Sequence, residues 1–575
     1  MRFQPIYDIA ALCAKKGVTQ AVLSPGSRCA PLTLAFTRHP KIQSRTISDE
    51  RSAGFIALGI AQESKKPVTV ICTSGTAVYN LSPAVAEAFF SETPLILITA
   101  DRPAEWIAQH DGQTIHQSEI FGKHVKKFYQ LPQDYDHPDS QWAINRIVNE
   151  AINLSMEEPK GPVHINAPFR EPLYPEKGEG ITYSATLRVY DETRNDFTFS
   201  EPLREQLLSD WQTYHHVLIA AGQQDLNPAL LEILQQFFKR HDIPFVTDII
   251  SNFQGIEKSL KHSDLFLGQA SEAVKKSLTP DLLITFGQSM ISKNTKLFLR
   301  KYSPKAHWHI QPGGVVTDPF KNVTRVIRTT PEQFFDTLGQ LPSHESFDNQ
   351  RQNNFTKLWE IEERRVSRIL TDYVKENALT EFKIVNEVLA QLPYNCNLHL
   401  ANSMSVRYAN FIGLAAAKKG VRIFSNRGTS GIDGCTSTTV GQLLSSGKPT
   451  FLITGDVAFF YDRNAFWHNY PLKDLRILLL NNHGGLIFTM IDGPAALPES
   501  KEYFVTQQKL NAKKLCEEFG FQHLHLDSPK KTKNLLKDFF DFDGTVKILE
   551  VESEAETNKT YFESLKAKIK HSYEL

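Results

Sequence analysis

Phe451-Leu-Ile-Thr-Gly-Asp456 and Ile477-Leu-Leu-Leu-Asn-Asn-His-Gly-Gly485 are the two stretches that decide the fold. Each is an apolar run of strand length that breaks abruptly into glycine and polar residues, the pattern of a strand buried on both faces. Asp456 and Asn482 stand 26 residues apart, enough for a helix and a return to the neighbouring parallel strand. Both side chains then lie at the carboxyl ends of adjacent strands, where open α/β sheets take their ligands.

The same rhythm runs outward in both directions. The third block also carries strand-like runs at Asn397–Leu400, Arg422–Phe424 and Val546–Val551. The first shows them at Gln20–Leu23, Val68–Cys72, Leu95–Thr99 and Val163–Ile165, with helical patterns at Arg51–Gln62 and Thr76–Phe90. The middle block repeats it with Val217–Ala221, Phe245–Thr247, Leu282–Phe286 and Trp308–Ile310. The expectation is an α/β protein of three doubly wound parallel-sheet domains, 1–182, 200–342 and 375–575. Polar stretches at 183–199 and 343–374 read as linkers. One internal echo stands out: Lys66–Asn80 resembles Lys448–Asp462, as two domains of one ancestral fold would, or as any two strand–turn–helix units would.

Composition narrows the function. The 575 residues carry 64 Lys and Arg against 64 Asp and Glu, and this balance argues against a nucleic-acid partner, which needs an excess of cations. No apolar run approaches the ~20 residues of a spanning helix, so no membrane insertion is expected. Met1–Asp8 places a proline and an aspartate where a signal peptide would have its apolar core. The six cysteines are scattered, with no Cys-x-x-Cys pair; reduced thiols and a cytoplasmic location are expected.

Asp456, Asn482 and the main-chain carbonyl at the tight Gly484 turn make a half-shell of hard oxygen donors. Mg²⁺ wants six at ~2.0–2.1 Å and takes the remainder from phosphate and water. The helix following Asp456 offers amide donors to a diphosphate. Each residue also fits a plainer role, Asp456 as a helix cap and Asn482 as a turn closer. Elsewhere, His307-Trp-His309 puts two imidazoles on one strand face without an evident third ligand, and Lys293, Lys296, Arg300, Lys301 and Lys305 read as a solvated helix face.

Gly-Asp, some twenty-five residues, then Asn-Asn after an apolar strand resembles the thiamine-diphosphate and Mg²⁺ motif of the decarboxylase and carboligase superfamily, although Val457 stands where many members have a second glycine. The domains would then be a pyrimidine domain, a central domain and a diphosphate domain. Further stretches resemble one family within it, the 2-succinyl-5-enolpyruvyl-6-hydroxy-3-cyclohexene-1-carboxylate synthases of menaquinone biosynthesis. These are Ser24-Pro-Gly-Ser-Arg-Cys-Ala-Pro31, Ser48-Asp-Glu-Arg-Ser-Ala-Gly54, Cys72-Thr-Ser-Gly-Thr-Ala77, Thr99-Ala-Asp-Arg-Pro103, Asn426-Arg-Gly-Thr-Ser-Gly-Ile-Asp-Gly434 and Asn481–Phe488.

The resemblance implies a transferase that decarboxylates 2-oxoglutarate and adds the succinyl unit to isochorismate by a Stetter-like conjugate addition. The alternative is another 2-oxo acid decarboxylase or carboligase using the same cofactor. It implies Glu50 as the catalytic acid that hydrogen-bonds N1′ of the aminopyrimidine, and Asp456, Asn482 and Gly484 as ligands of Mg²⁺, or of Mn²⁺. It places Ser430, Ile432, Gly455, Val457, Ala458, Leu486, Ile487 and Phe488 against thiamine diphosphate, Ile432 bending it into a V, with Ile491 beside Phe488. Ser27, Arg28, Arg102, Gln113, Lys293 and Lys296 would face isochorismate; Asn402, Ser403, Arg407 and Arg427 would hold the succinyl carboxylate and nearby groups. Guanidinium and ammonium groups suit two dicarboxylate substrates. The superfamily sets its cofactor between subunits, which implies a homodimer or homotetramer.

Overall fold

In the computed structural model, which describes residues 3–193, 198–340, 349–376, 378–418, 420–490 and 493–574, the strands form three six-stranded sheets. The first holds β1 (Gln20–Leu23), β2 (Gln43–Thr46), β3 (Val68–Cys72), β4 (Leu95–Asp101), β5 (Phe128–Gln130) and β6 (Val163–Pro168), in the order β2-β1-β3-β4-β6-β5. The second holds β7 (Val217–Ala221), β8 (Phe245–Thr247), β9 (Ser259–Leu260), β10 (Leu282–Phe286), β11 (Ala306–Ile310) and β12 (Arg325–Ile327), ordered β12-β11-β10-β7-β8-β9. The third holds β13 (Asn397–Leu400), β14 (Arg422–Phe424), β15 (Thr450–Gly455), β16 (Leu475–Asn481), β17 (Gln522–Leu526) and β18 (Lys547–Glu552), ordered β14-β13-β15-β16-β18-β17. Every pair in the first two sheets is parallel. Central strands such as β3, β10 and β16 are buried along their whole length, as expected of sheets covered by helices on both faces.

The chain divides into two compact units. One comprises Met1–Arg194, Asn426–Thr450 and Ala458–Leu475; the other comprises Asn195–Ser425, Phe451–Val457 and Arg476–Leu575. The first unit therefore recruits the helix Cys435–Ser446, which packs along the helix Glu50–Ser64. Glycine is required at this crossing. A Cβ on Gly59 would sit 2.0 Å from the Thr438 carbonyl oxygen, and one on Gly441 2.0 Å from that of Ile56. Backbone rests on backbone here.

Two local details differ from the sequence reading. The helix expected over Thr76–Phe90 is two helices, Thr76–Asn80 and Ser82–Phe90, and Pro83 opens the second because it lacks the amide an unbroken helix needs. The stretch after residue 182 is tied down: Ser184 donates from its amide and hydroxyl to Asp8 at 2.8 and 2.6 Å, and Lys16 meets Asp191 at 2.7 Å.

Candidate active site

In the first unit the loops at the carboxyl edge of the sheet gather Ser27, Arg28, Glu50, Arg102 and Gln113. Glu50 is the first residue of its helix, capped by Asp49, whose Oδ1 accepts from the Arg51 and Ser52 amides at 2.9 and 3.2 Å. A second tether is the Asn464 amide, which donates to Asp49 Oδ2 at 2.8 Å. Asn80 Nδ2 reaches Glu50 Oε2 at 3.5 Å. Arg51 bonds the Asp433 carbonyl and lies 3.3 Å from the buried Asp462 carboxylate, which fixes the start of the Glu50 helix from behind.

Arg28 is buried and donates to the Phe169 carbonyl at 2.9 Å and to Glu171 at 3.2 Å. Arg102 donates to the Gly112 carbonyl at 3.0 Å, lies 3.4 Å from Asp111, and reaches the same Glu171 oxygen at 3.9 Å. The structure thus brings these two guanidiniums together over one exposed carboxylate. Ser27 is exposed beside Gly26, which rests on Thr73; Gln113 lies over Gly75, where a Cβ would come 3.3 Å from its Cα. Beneath these loops, Asp101 accepts from Asn166 at 2.7 Å, and Gln117 joins Asn166 to the Gly75 amide. Burial pushes the Asp101 carboxyl up and the His164 imidazole down to about 3.

Glu87 is a supporting residue the sequence did not reveal. Its carboxylate accepts from the Gly428 and Thr429 amides at 2.8 and 2.6 Å and from the Thr429 hydroxyl at 2.7 Å. Burial pushes its carboxyl up and these donors pull it back, with Arg427 adding a favourable charge. The clamp holds the turn that presents exposed Ser430, at φ 61°, and half-buried Ile432. A lone acid among Ala and Phe in the helix Ser82–Phe90 was its only signal.

In the second unit the third sheet's carboxyl edge carries Asn402, Ser403, Gly455, Asp456, Val457, Asn482 and Gly484. Asp456 follows β15 and is 1 % exposed; burial pushes its carboxyl up to about 6 despite hydrogen bonds from Gln508 and the Val457 amide. Gln508 Nε2 donates to Asp456 Oδ2 at 2.6 Å and to Asn481 Oδ1 at 3.2 Å. Asn482 Nδ2 donates to Glu381 at 2.7 Å, and the buried Asn482 Oδ1 has no hydrogen-bond partner among the described residues. Glu381 is fully buried, and its carboxyl is pushed up to about 7 by burial and by the Asp456 charge, against the Asn482 bond.

The turn after Asn482 is tightly folded. The Gly485 amide donates to the Val505 carbonyl at 2.7 Å, and a Cβ on Gly484 would come 2.8 Å from Val505. Leu486, Ile487 and Phe488 form the 3-10 turn that follows, Phe488 facing Phe504 with centroids 6.0 Å apart; Ile491 lies outside the described residues. A buried carboxylate, an orphaned amide oxygen and a carbonyl at a glycine turn are the hard donors a divalent cation takes. Gln508 and Glu381 orient the two side-chain donors, as supporting residues do at metal sites.

The remaining sequence-predicted residues are placed as follows. Ser403 takes φ 70°, and its carbonyl accepts from Arg407 at 2.6 Å beside buried Asn402. Lys293 opens the helix after β10 and is exposed; Lys296 donates to the Met290 carbonyl at 2.9 Å. Ala458 is buried and belongs to the first unit, as do Arg427, Ser430 and Ile432. His307 and His309 both turn onto the Thr285 hydroxyl, at 2.6 and 2.8 Å, as packed core groups.

Comparison with known proteins bears on this arrangement. Residues 7–120 match the model of the thiamine pyrophosphate enzyme N-terminal TPP binding domain, and residues 190–400 that of the middle domain of thiamine pyrophosphate enzymes. The chain is 42 % identical over 571 residues to a 2-succinyl-5-enolpyruvyl-6-hydroxy-3-cyclohexene-1-carboxylate synthase of Cytophaga hutchinsonii, covering 99 % of this chain and 100 % of that one. Synthases of the same name from Flavobacterium johnsoniae and Bacteroides thetaiotaomicron are each 36 % identical, over 97 % and 98 % of this chain and 98 % and 99 % of theirs.

Proposed function

Because the chain belongs to the family of 2-succinyl-5-enolpyruvyl-6-hydroxy-3-cyclohexene-1-carboxylate synthases, thiamine-diphosphate-dependent transferases, we propose that it joins 2-oxoglutarate, with loss of CO₂, to isochorismate in menaquinone biosynthesis. The observation that carries this reading at the site is the orphaned Asn482 Oδ1 beside buried Asp456 and the Gly484 turn. These donors would hold Mg²⁺, or equally Mn²⁺, whose charge would offset that of a diphosphate.

When bound, the cofactor supplies a carbon nucleophile and a sink for the electrons that decarboxylation releases. The chain's residues do the rest. Glu50 holds a proton against the pyrimidine nitrogen N1′, with Asp49 and Arg51 keeping its helix end fixed. Asp456, Asn482 and the Gly484 carbonyl would hold the metal. Gly455, Val457, Ala458, Leu486, Ile487 and Phe488 would line the cofactor, Ser430 would flank it, and Ile432 would orient it by packing. Ser27, Arg28, Arg102, Gln113, Lys293 and Lys296 bind isochorismate; Asn402, Ser403, Arg407 and Arg427 bind the succinyl carboxylate. In this reading Glu171 occupies Arg28 and Arg102 until a substrate carboxylate displaces it, an exchange favoured by its exposure.

This reading takes the chain as three domains, 1–182, 200–342 and 375–575, and the working molecule as a homodimer or homotetramer with its sites between subunits. All six cysteines are buried and outside any disulfide, which suits the cytoplasm; no described helix is long and apolar enough to cross a membrane.

The test is product analysis by mass spectrometry with both substrates, with and without thiamine diphosphate and Mg²⁺. The adduct is expected only when all four are present. Adduct formation from a different 2-oxo acid in preference to 2-oxoglutarate, or none with isochorismate, overturns the assignment.

A further inference from the structure

The edge strand β17 reads Gln522-His-Leu-His-Leu526, with Leu524 and Leu526 buried and the two histidines on the opposite face. Its parallel partner β18 sets Glu550 directly opposite His525. Glu550 is fully buried, and its Oε2 lies 2.6 Å from His523 Nε2. Each of the three side chains offers a donor atom within 4.8 Å of the other two. Asp527 lies a step further along, 3.8 Å from His525 Nε2.

The carboxylate is prepared for a positive ligand. Burial disfavours its charge, yet bonds from His523, from Asn481 at 2.7 Å and from the Ala512 amide at 3.1 Å hold its carboxyl below the ordinary range. A buried anion needs such partners. The Asn481 and Ala512 bonds also fix its orientation, as supporting residues do around metal ligands. His525 is exposed, so the cluster opens to solvent. The contrast with the other His-x-His strand is instructive. His307 and His309 are buried and turn onto a threonine hydroxyl, whereas His523 and His525 converge on a carboxylate.

We infer that His523, His525 and Glu550 form a binding site for a borderline divalent transition-metal ion of the Zn²⁺ class, separate from the oxygen donors at Asp456, Asn482 and Gly484. Two imidazoles and one carboxylate select such ions over Mg²⁺, which prefers an all-oxygen shell. Bonds of ~2.0–2.2 Å set tetrahedral donors about 3.4 Å apart, so the His523–Glu550 pair must open from 2.6 Å while the exposed His525 ring turns in. The ion takes the place of the proton between His523 Nε2 and Glu550, the neutral ring then carrying its proton on Nδ1, and Asp527 or water completes four-coordination.

The experiment uses the full chain, stripped of metal and then saturated with thiamine diphosphate and Mg²⁺, so that the oxygen site is filled. Zn²⁺ is titrated by calorimetry and its effect on the unfolding midpoint recorded. One Zn²⁺ per chain is expected, with a raised midpoint because the ion binds only the folded state. His525→Ala, at an exposed position, should weaken binding at least ~10-fold and abolish the rise, whereas His571→Ala should change neither. Co²⁺ should show the visible absorption of a four-coordinate ion. Binding unchanged in His525→Ala and His523→Ala, no binding at all, or binding lost instead in Asp456→Ala overturns the inference.

Discussion

The first and third sheets are built alike and equipped differently. Both follow one strand order, β2-β1-β3-β4-β6-β5 and β14-β13-β15-β16-β18-β17, whereas the middle sheet runs β12-β11-β10-β7-β8-β9. Even their buried polar bracing corresponds. Asp101 at the end of β4 is bonded to Asn166 on β6, which accepts from Gln117; Asn481 at the end of β16 is bonded to Glu550 on β18 and accepts from Gln508. Acid and amide have changed places between the strands. The resemblance of Lys66–Asn80 to Lys448–Asp462 is therefore matched by topology, and the difference between the sheets lies in what each strand end presents. The first offers Glu50 and two arginines, the third a set of oxygen donors. In the proposed function one scaffold would supply acid–base and anion-binding groups in one copy and metal ligands in the other, because function sits in loops grafted on a fold.

The largest effect should come from removing the first sheet's acid. Glu50→Gln should cut turnover by ~100-fold or more while cofactor affinity, read by titration, stays within about tenfold; near-normal turnover would refute the proton-holding role. Next comes the third sheet's acid. Asp456→Ala should weaken Mg²⁺ and thiamine diphosphate together by about 100-fold, since one donor of a chelated pair is lost. Ser74→Ala, the counterpart position 382 residues earlier, should leave both affinities unchanged. Equal losses in the two variants would erase the distinction between the sheets.

Two smaller effects concern stability. Gly59→Ala forces a Cβ onto the Thr438 carbonyl and should cost about 3 kcal/mol, read as a lowered denaturation midpoint. His164 sharpens the comparison through pH. Its imidazole ionises at about 3 when folded, against an ordinary 6.5, because it is buried. The stabilisation it allows is complete above 6.5 and is lost as pH falls toward 3, by about 2 kcal/mol at pH 5. His164→Gln should flatten that part of the stability curve; an unchanged slope would assign the acid sensitivity elsewhere.

How much was legible in the sequence follows from burial. Strands central to the sheets announce themselves as continuous apolar runs, and those readings hold for β3, β10 and β16. The strands that no apolar run announces, β2, β5, β9, β12 and β17, all lie at sheet edges, where exposure permits polar residues; β17 reads Gln-His-Leu-His-Leu. The site divides in the same way. Asp456 and Asn482 are legible because each follows directly on a buried strand. Gln508 is 52 residues from the carboxylate it holds, and Glu87 is 341 from the amide it clamps. Local pattern carries no trace of such partnerships. Glu381 opens a helix after Thr380, so it reads as an ordinary first-turn acid, and only the fold reveals it buried against Asn482.

The glycine crossing of Glu50–Ser64 with Cys435–Ser446 has a consequence for biogenesis. The first unit contains residues up to 194 and then nothing until 426. While the ribosome works through the intervening segment, the nascent amino-terminal portion has one flank of its central helix uncovered, notched at Gly59 for a mate not yet synthesised. Its assembly finishes only after translation has passed residue 475, so this unit cannot complete itself strictly in the order in which it is made.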